Sequence, residues 1–357
     1  MNDDQYTPRC LVTGGAGFIG SHLVEHLLGL GRAVTVIDDL STGRRENLGA
    51  VRDHPRLTFV HADAAEQLKN IGDGRPLGPF DEVYHLAAAV GVELVLRDPV
   101  GSIETNVGLT AAVASAALRT APGGTAASLL LASSSEVYGK GTGAVFSESD
   151  DVLYGPTSVT RWSYAISKAL DEYLVLETAR QHDAPAVAVR FFNTIGPRQR
   201  GDYGMVVPRF VAAALAGEPL RVFGDGSQSR CFADVRDVVP ALPRLLSSPD
   251  AHGRAVNIGS QSPITIARLA QIVIERTRSS SRSVLVPYAD AYARGFEDLA
   301  KRRPDLTLAE RLIGYAPSRK LEETIDNVAA WLAARGAPTD PQPAAEHPRA
   351  DDIRLET

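Results

Sequence analysis

An apolar run, RCLVTG (9–14), passes directly into the glycine cluster TGGAGFIG (13–20), and that cluster opens the periodic stretch FIGSHLVEHLLGLG (18–31). Strand, glycine turn and helix in that order leave little choice of fold. Gly15, Gly17 and Gly20 carry the G-x-G-x-x-G spacing, with Gly14 in front. Glycines permit the tight turn and let backbone approach a pyrophosphate, while the helix start offers free N–H groups and a positive dipole end. Gly14, Gly17, Phe18, Ile19 and Gly20 are therefore expected to line a dinucleotide. The next strand, AVTVID (33–38), ends in Asp38, eighteen residues beyond Gly20. A carboxylate there accepts hydrogen bonds from ribose hydroxyls and repels a 2′-phosphate, which favours NAD over NADP. Asp63 follows a third strand and reads equally as an adenine contact or as a helix N-cap.

The alternation continues. DEVYHLA (81–87), SLLLASS (128–134) and AVAVRFF (186–192) read as strands; NVGLTAAVASAALRT (106–120) and RWSYAISKALDEYLVLETARQH (161–182) read as helices. Such a chain is α/β: a Rossmann-type parallel sheet with helices on both faces. After Pro197 the rhythm changes, with helical patterns near 206–218, 235–248, 265–278, 307–313 and 320–335. The expected organisation is an NAD-binding domain over 1–195 with returning segments near 231–258, and an interleaved, smaller, mainly helical substrate lobe over 196–335. The Pro-, Ala- and charge-rich segment 336–357 reads as a disordered tail.

Composition sets outer limits. A net charge of −6 gives no basic footprint for nucleic acid. The longest apolar runs fall short of the roughly 20 residues that span a bilayer, so no membrane partner is expected. Cys10 and Cys231 stand alone, without metal-like or redox spacing, so no metal site is expected. With an acidic, polar N-terminus unlike a signal peptide, the expected compartment is the cytoplasm.

Two further stretches carry chemistry. WSYAISK (162–168) puts Tyr164 and Lys168 one helical turn apart on one face. A phenol with a pKa near ~10 is a poor base at neutral pH, and a nearby ammonium favours its anion. SSSEVYG (133–139) places Ser134, Ser135 and the carboxylate of Glu136 at the end of an apolar strand.

Taken together, TGGAGFIG, Asp38, HLAA (85–88), SSSEVYG, Tyr164-x-x-x-Lys168 and RFFNTIGPR (190–198) resemble the extended short-chain dehydrogenase/reductase family, and within it the nucleotide-sugar-modifying members, over about residues 8–335. The resemblance implies that Leu86, Ala87 and Ala88 also touch NAD and that Lys168 holds the nicotinamide ribose. It implies that Tyr164 takes a proton from the sugar while Ser134 hydrogen-bonds the reacting oxygen. Asn193 and Arg230 match diphosphate-binding positions, with Arg209 a further candidate. The nucleotide is expected to be a UDP-sugar, and the assembly a homodimer through a four-helix bundle of the helices near 100–119 and 161–182.

Members of the family share oxidation at C4 and diverge afterwards into epimerases, 4,6-dehydratases and decarboxylases. Ser135 stands where dTDP-glucose-type dehydratases resemble an Asp, which argues against that reaction. Ser-Ser-Glu together with KRRPD (301–305) resembles the UDP-glucuronate decarboxylases, and Arg302 matches a residue at the substrate carboxylate. Decarboxylation to UDP-xylose or UDP-4-keto-xylose, through Tyr164, Lys168, Ser134, Glu136 and Arg302, is the expected activity. A 4-epimerase or 4,6-dehydratase is the alternative.

Overall fold

The computed structural model describes residues 6–69, 77–89, 95, 97–120, 126–141, 143–201, 205–288 and 301–335. Its strands are β1 (Arg9–Thr13), β2 (Ala33–Asp38), β3 (Leu57–His61), β4 (Glu82–His85), β5 (Ser128–Ser134), β6 (Ala186–Phe191), β7 (Thr194–Ile195), β8 (Leu220–Phe223), β9 (Ser229–Cys231), β10 (Ala233–Asp234), β11 (Arg254–Ile258), β12 (Pro263–Thr265), β13 (Ser283–Val286) and β14 (Lys301–Arg302). The helices are α1 (Phe18–Gly29), α2 (Ala64–Lys69), α3 (Pro99–Thr120), α4 (Trp162–His182), α5 (Val206–Ala216), α6 (Val235–Val238), α7 (Ala241–Leu246), α8 (Ile266–Thr277), α9 (Thr307–Ile313) and α10 (Leu321–Ala334).

Seven strands form one parallel sheet in the order β11-β6-β5-β4-β1-β2-β3. Side chains on a strand alternate faces, and here both faces are buried. Val12, Val36, Leu130 and Val189 pack on one side with α1 and α7. Leu11, Ile37, Leu129, Leu131 and Ala188 pack on the other with α2, α3 and α4. This double burial is why the strands read as unbroken apolar runs. Strand order reverses between β1 and β4, and the crevice outside their carboxyl ends is where such sheets receive ligands.

A third core joins α5, α8 and α10 through Phe210, Leu269, Val273 and Ile325. Small sheets flank it: β8 with β13, and β9 between β12 and β14. The pattern near 235–248 resolves into two short helices, α6 and α7, separated at Val239–Pro240. Proline lacks the N–H that would continue the first helix. The expected tail, 336–357, lies outside the described residues. Among the described residues no helix is long and apolar enough to cross a membrane.

Candidate active site

The glycine turn is shaped by close packing. Gly14 has φ +72°, and a Cβ there would stand 2.7 Å from the backbone nitrogen of Ala87. A Cβ on Gly20 would reach the Gly14 carbonyl at 2.1 Å. Gly17 differs: its added Cβ would meet only that carbonyl, at 3.1 Å, and its other side opens on a cleft. The turn therefore offers bare backbone and the start of α1 to a ligand. Asp38, 7% exposed, accepts from the backbone N–H of Ala16 at 2.8 Å and of Leu40 at 2.9 Å. Burial pushes its pKa up, and those two N–H groups act in the opposite direction. Two lone-pair directions remain for a diol, so these residues fit a nicotinamide dinucleotide. Asp63 accepts from the N–H of Glu66 at 2.8 Å, capping α2, and also lines the cleft.

That cleft encloses about 1020 Å³ and runs from Gly14, Phe18, Ile19 and Asp38, past Leu86, Ala87 and Ala88, to Phe223 and Tyr288 in the second lobe. Its volume lies at the upper end for ligand sites and suits two elongated nucleotides. Ser134, Ser135, Glu136, Tyr164, Lys168, Asn193, Arg209, Arg230 and Arg302 all line it. The structure thus brings to one cavity every residue expected to contact cofactor or substrate.

At its centre, α4 presents Tyr164 and Lys168 beside the end of β5. The Ser134 hydroxyl accepts from the N–H of Glu136 at 3.2 Å and lies beside the Tyr164 phenol, whose pKa it helps to lower. It is both a strand-end cap and a neighbour of the phenol. Lys168 Nζ donates to Asp171 Oδ2 at 2.9 Å, and both side chains are buried. The ammonium thus has a carboxylate partner one turn further on in the helix. Burial and the Glu136 carboxylate push the Tyr164 pKa well up, and the Ser134 hydroxyl opposes them. His85, between Thr13 at 2.8 Å and Thr110 at 3.1 Å, is pushed down to about 3 by burial and by Lys168, so it is neutral.

Glu136 is held from the other lobe. One of its oxygens lies 2.5 Å from Arg302 and the other 3.5 Å from Arg161. Burial alone would raise its pKa, but Arg302 first, then Arg161 and Arg230, bring it below the usual carboxylate range. Arg302 reaches this position because β14 pairs with β9, setting Arg302 opposite Arg230. The following residues are pinned as well: Phe146 donates to the Arg303 carbonyl and accepts from Asp305 N–H, each at 2.8 Å. Asn257 bonds the carbonyls of Phe146 at 3.0 Å and Asp305 at 3.2 Å, and accepts from the Tyr138 hydroxyl at 2.7 Å. Behind it, Arg190 stacks on Tyr138 at 4.7 Å and pairs through two bonds with Glu172, which accepts from Ser133. KRRPD is therefore not the free basic loop before a helix that its composition allows.

Sequence reasoning did not single out Arg161, Asp171 or Asn257. Arg161 and Asp171 were within sight, three residues before Tyr164 and three after Lys168, the spacing that shares a helix face. Asn257 had no local signal.

Comparison with known proteins gives the family. Residues 10–259 match the model of the NAD dependent epimerase/dehydratase family. A UDP-N-acetyl-alpha-D-glucosaminuronate decarboxylase of Bacillus cytotoxicus is 40% identical over 329 residues, covering 91% of this chain and 97% of that one. UDP-glucuronic acid decarboxylase 4 of Arabidopsis thaliana is 34% identical over 325 residues, covering 88% of this chain and 66% of that one. Among solved structures, a UDP-glucuronic acid 4-epimerase from Bacillus cereus, in complex with UDP-glucuronic acid and NAD, superposes with a TM-score of 0.77 at 26% identity, covering 92% and 99% of the two chains. A dTDP-glucose 4,6-dehydratase from Streptomyces venezuelae gives 0.78 at 28% identity, covering 91% and 97%. With its glycine turn, its Tyr164–Lys168 face and a match over most of its length, this chain belongs to the NAD dependent epimerase/dehydratase family.

Proposed function

We propose that the protein is an NAD-dependent decarboxylase of UDP-glucuronate, yielding UDP-xylose, UDP-4-keto-xylose or both. One observation carries the reading: a buried arginine, Arg302, is delivered from the second lobe onto Glu136, beside Ser134 and Tyr164. Oxidation at C4 needs only the Ser134–Tyr164–Lys168 group. A guanidinium beside it has a purpose when the sugar carries a carboxylate. The relatives named above as decarboxylases of UDP-uronic acids support the same reading.

In this proposal Tyr164 takes the proton of the C4 hydroxyl and Ser134 orients its oxygen. The glycine turn and Asp38 would hold NAD, which would supply the two-electron oxidation at C4 and, as NADH, the reduction where the ketone is reduced. Once C4 is a ketone, the C5 carboxylate belongs to a β-keto acid. The C5–C6 bond breaks, CO2 leaves, and the electron pair forms the C4–C5 enolate, which the neighbouring hydrogen-bond donors stabilise. A proton then adds at C5. Arg302 orients the carboxylate before cleavage, and Glu136 keeps Arg302 in place. Glu136 stays ionised at neutral pH because its pKa is depressed, so it holds position or orders a water rather than serving as the acid. Asn193, Arg209 and Arg230 hold the diphosphate. The subunits pair through α3 and α4, whose Val100, Ile103, Leu170 and Tyr173 are exposed and apolar.

The test is incubation with NAD and either UDP-glucuronate or UDP-N-acetylglucosaminuronate, following CO2 and product mass. CO2 release from one of them is expected. Unchanged mass with an inverted C4 would replace this reading with epimerisation.

A further inference from the structure

Two neighbouring acids on α4 are buried, and their surroundings differ. Glu172 pairs with Arg190 through two hydrogen bonds and accepts from Ser133, so it ties the helix to the sheet. Asp171, 0% exposed, makes no such tie. Its Oδ2 accepts from Lys168 Nζ at 2.9 Å, and its Oδ1 is buried without a hydrogen-bond partner. Burying a carboxylate with one oxygen unpaired costs free energy that an apolar side chain in the same place would not. The contact that accounts for a carboxylate here is therefore the one to Lys168.

Tyr164, Lys168 and Asp171 follow one another along one side of α4, at spacings of four and three residues. Tyr164 and Asp171 are two turns apart, roughly 10 Å along the axis, and Lys168 stands between them. An ammonium has three N–H donors, and Asp171 takes one. The bond fixes where the Lys168 charge sits relative to the phenol. It also divides the field of that charge, because a carboxylate at 2.9 Å answers part of it and only the rest favours a phenolate. Asp171 is accordingly among the groups that push the Tyr164 pKa up.

We propose that Asp171 is a positioning residue of the hydride-transfer step, which anchors the Lys168 ammonium and, by answering part of its charge, tempers Tyr164 as a base. The inference rests on the reading of Tyr164 as the base at C4 and deepens it. Among the described residues, the other groups facing the phenol are Ser134 and Glu136 at the end of β5, Arg302 and Arg230 acting through Glu136, Arg161 at the start of α4, and His85 on β4 beside Lys168. None of them hydrogen-bonds Asp171, so a change there reaches the phenol through Lys168.

The test is the titration of the Tyr164 phenol in NAD-loaded protein, read as phenolate absorbance against the same protein carrying Tyr164→Phe. Asp171→Asn keeps an oxygen for Lys168 and removes the charge. Its midpoint should fall by about one pH unit, a tenfold change in the acid constant. Asp171→Glu should stay near wild type. The acid limb of the kcat profile should move down with the midpoint. With Lys168→Met already present, Asp171→Asn should move the midpoint less than about threefold in the acid constant. An unmoved or raised midpoint, titration in neither protein, or an equal shift with and without Lys168 overturns the proposal. So does a uniform loss of kcat with no shift, which makes Asp171 a support of the fold alone. Asp171→Ser, checked first by circular dichroism, serves where the asparagine variant fails to fold. Decarboxylation of UDP-glucuronate is scored separately. CO2 release with no shift removes the role of Asp171 alone. A shift without CO2 release keeps that role and removes the decarboxylase reading.

Discussion

Glu136 and Arg302 come from opposite lobes and meet at 2.5 Å, with the carboxylate 20% and the guanidinium 8% exposed. Neither residue reaches the other without the β14–β9 pairing that carries Arg302 into the cleft. The contact closes the reactive end of the site and depresses the Glu136 pKa.

Glu136→Gln should keep NAD binding and lose most turnover, by at least about 100-fold in kcat, because the neutral amide no longer anchors Arg302 by charge. NAD titration and CO2 release check the two halves. Near-normal turnover would make Glu136 structural.

The same pair predicts a pH dependence of stability. The folded pKa of Glu136 lies below its unfolded value of about 4.3. The stabilisation is therefore complete above that value and is lost as pH falls through the folded pKa. The difference in Tm between wild type and Glu136→Gln should be constant from pH 6 to 8 and shrink below about pH 4. A difference that grows on acidification would contradict the assignment.

Two glycines in one turn should fail differently. Gly14→Ala meets both a positive φ and the Ala87 backbone at 2.7 Å, so it should destabilise the fold by about 1–3 kcal/mol. Gly17→Ala meets only one carbonyl at 3.1 Å within the protein, so its cost should fall on NAD affinity. Urea unfolding and NAD titration separate them; equal loss of stability in both would refute the distinction.

Asp38→Asn keeps one oxygen for the Ala16 or Leu40 N–H but removes the charge. NAD should bind about tenfold more weakly, as expected for loss of one charge-assisted bond. Discrimination against NADP should narrow, since no anion then repels the 2′-phosphate. Parallel Kd measurements for NAD and NADP decide it.

Arg190→Ala would strand the buried Glu172 carboxylate and unseat Tyr138. Breaking such a pair costs about 3–5 kcal/mol. Denaturant unfolding should show the loss, and a change below about 1 kcal/mol would mean the carboxylate finds another partner.

The sequence by itself determined what is encoded within a few residues. TGGAGFIG specifies its turn because only glycine fits so close to Ala87 and its own carbonyl. The strands announced themselves because both sheet faces are buried, and Tyr164 and Lys168 share a face because they lie one turn apart. Tertiary structure decided the rest. Whether RRPD was a surface loop or a wall of the site depended on pairing with β9, on Phe146 and on Asn257, contacts between segments far apart in the chain. The charge on Lys168 meets Asp171 through a side-chain choice that helical spacing permits but does not dictate. Arg161 looked like any arginine opening a helix until the lobes put Glu136 between it and Arg302. Local pattern fixes backbone geometry, but the surroundings of a charge are set by whatever the fold brings near it, and those surroundings decide its chemistry.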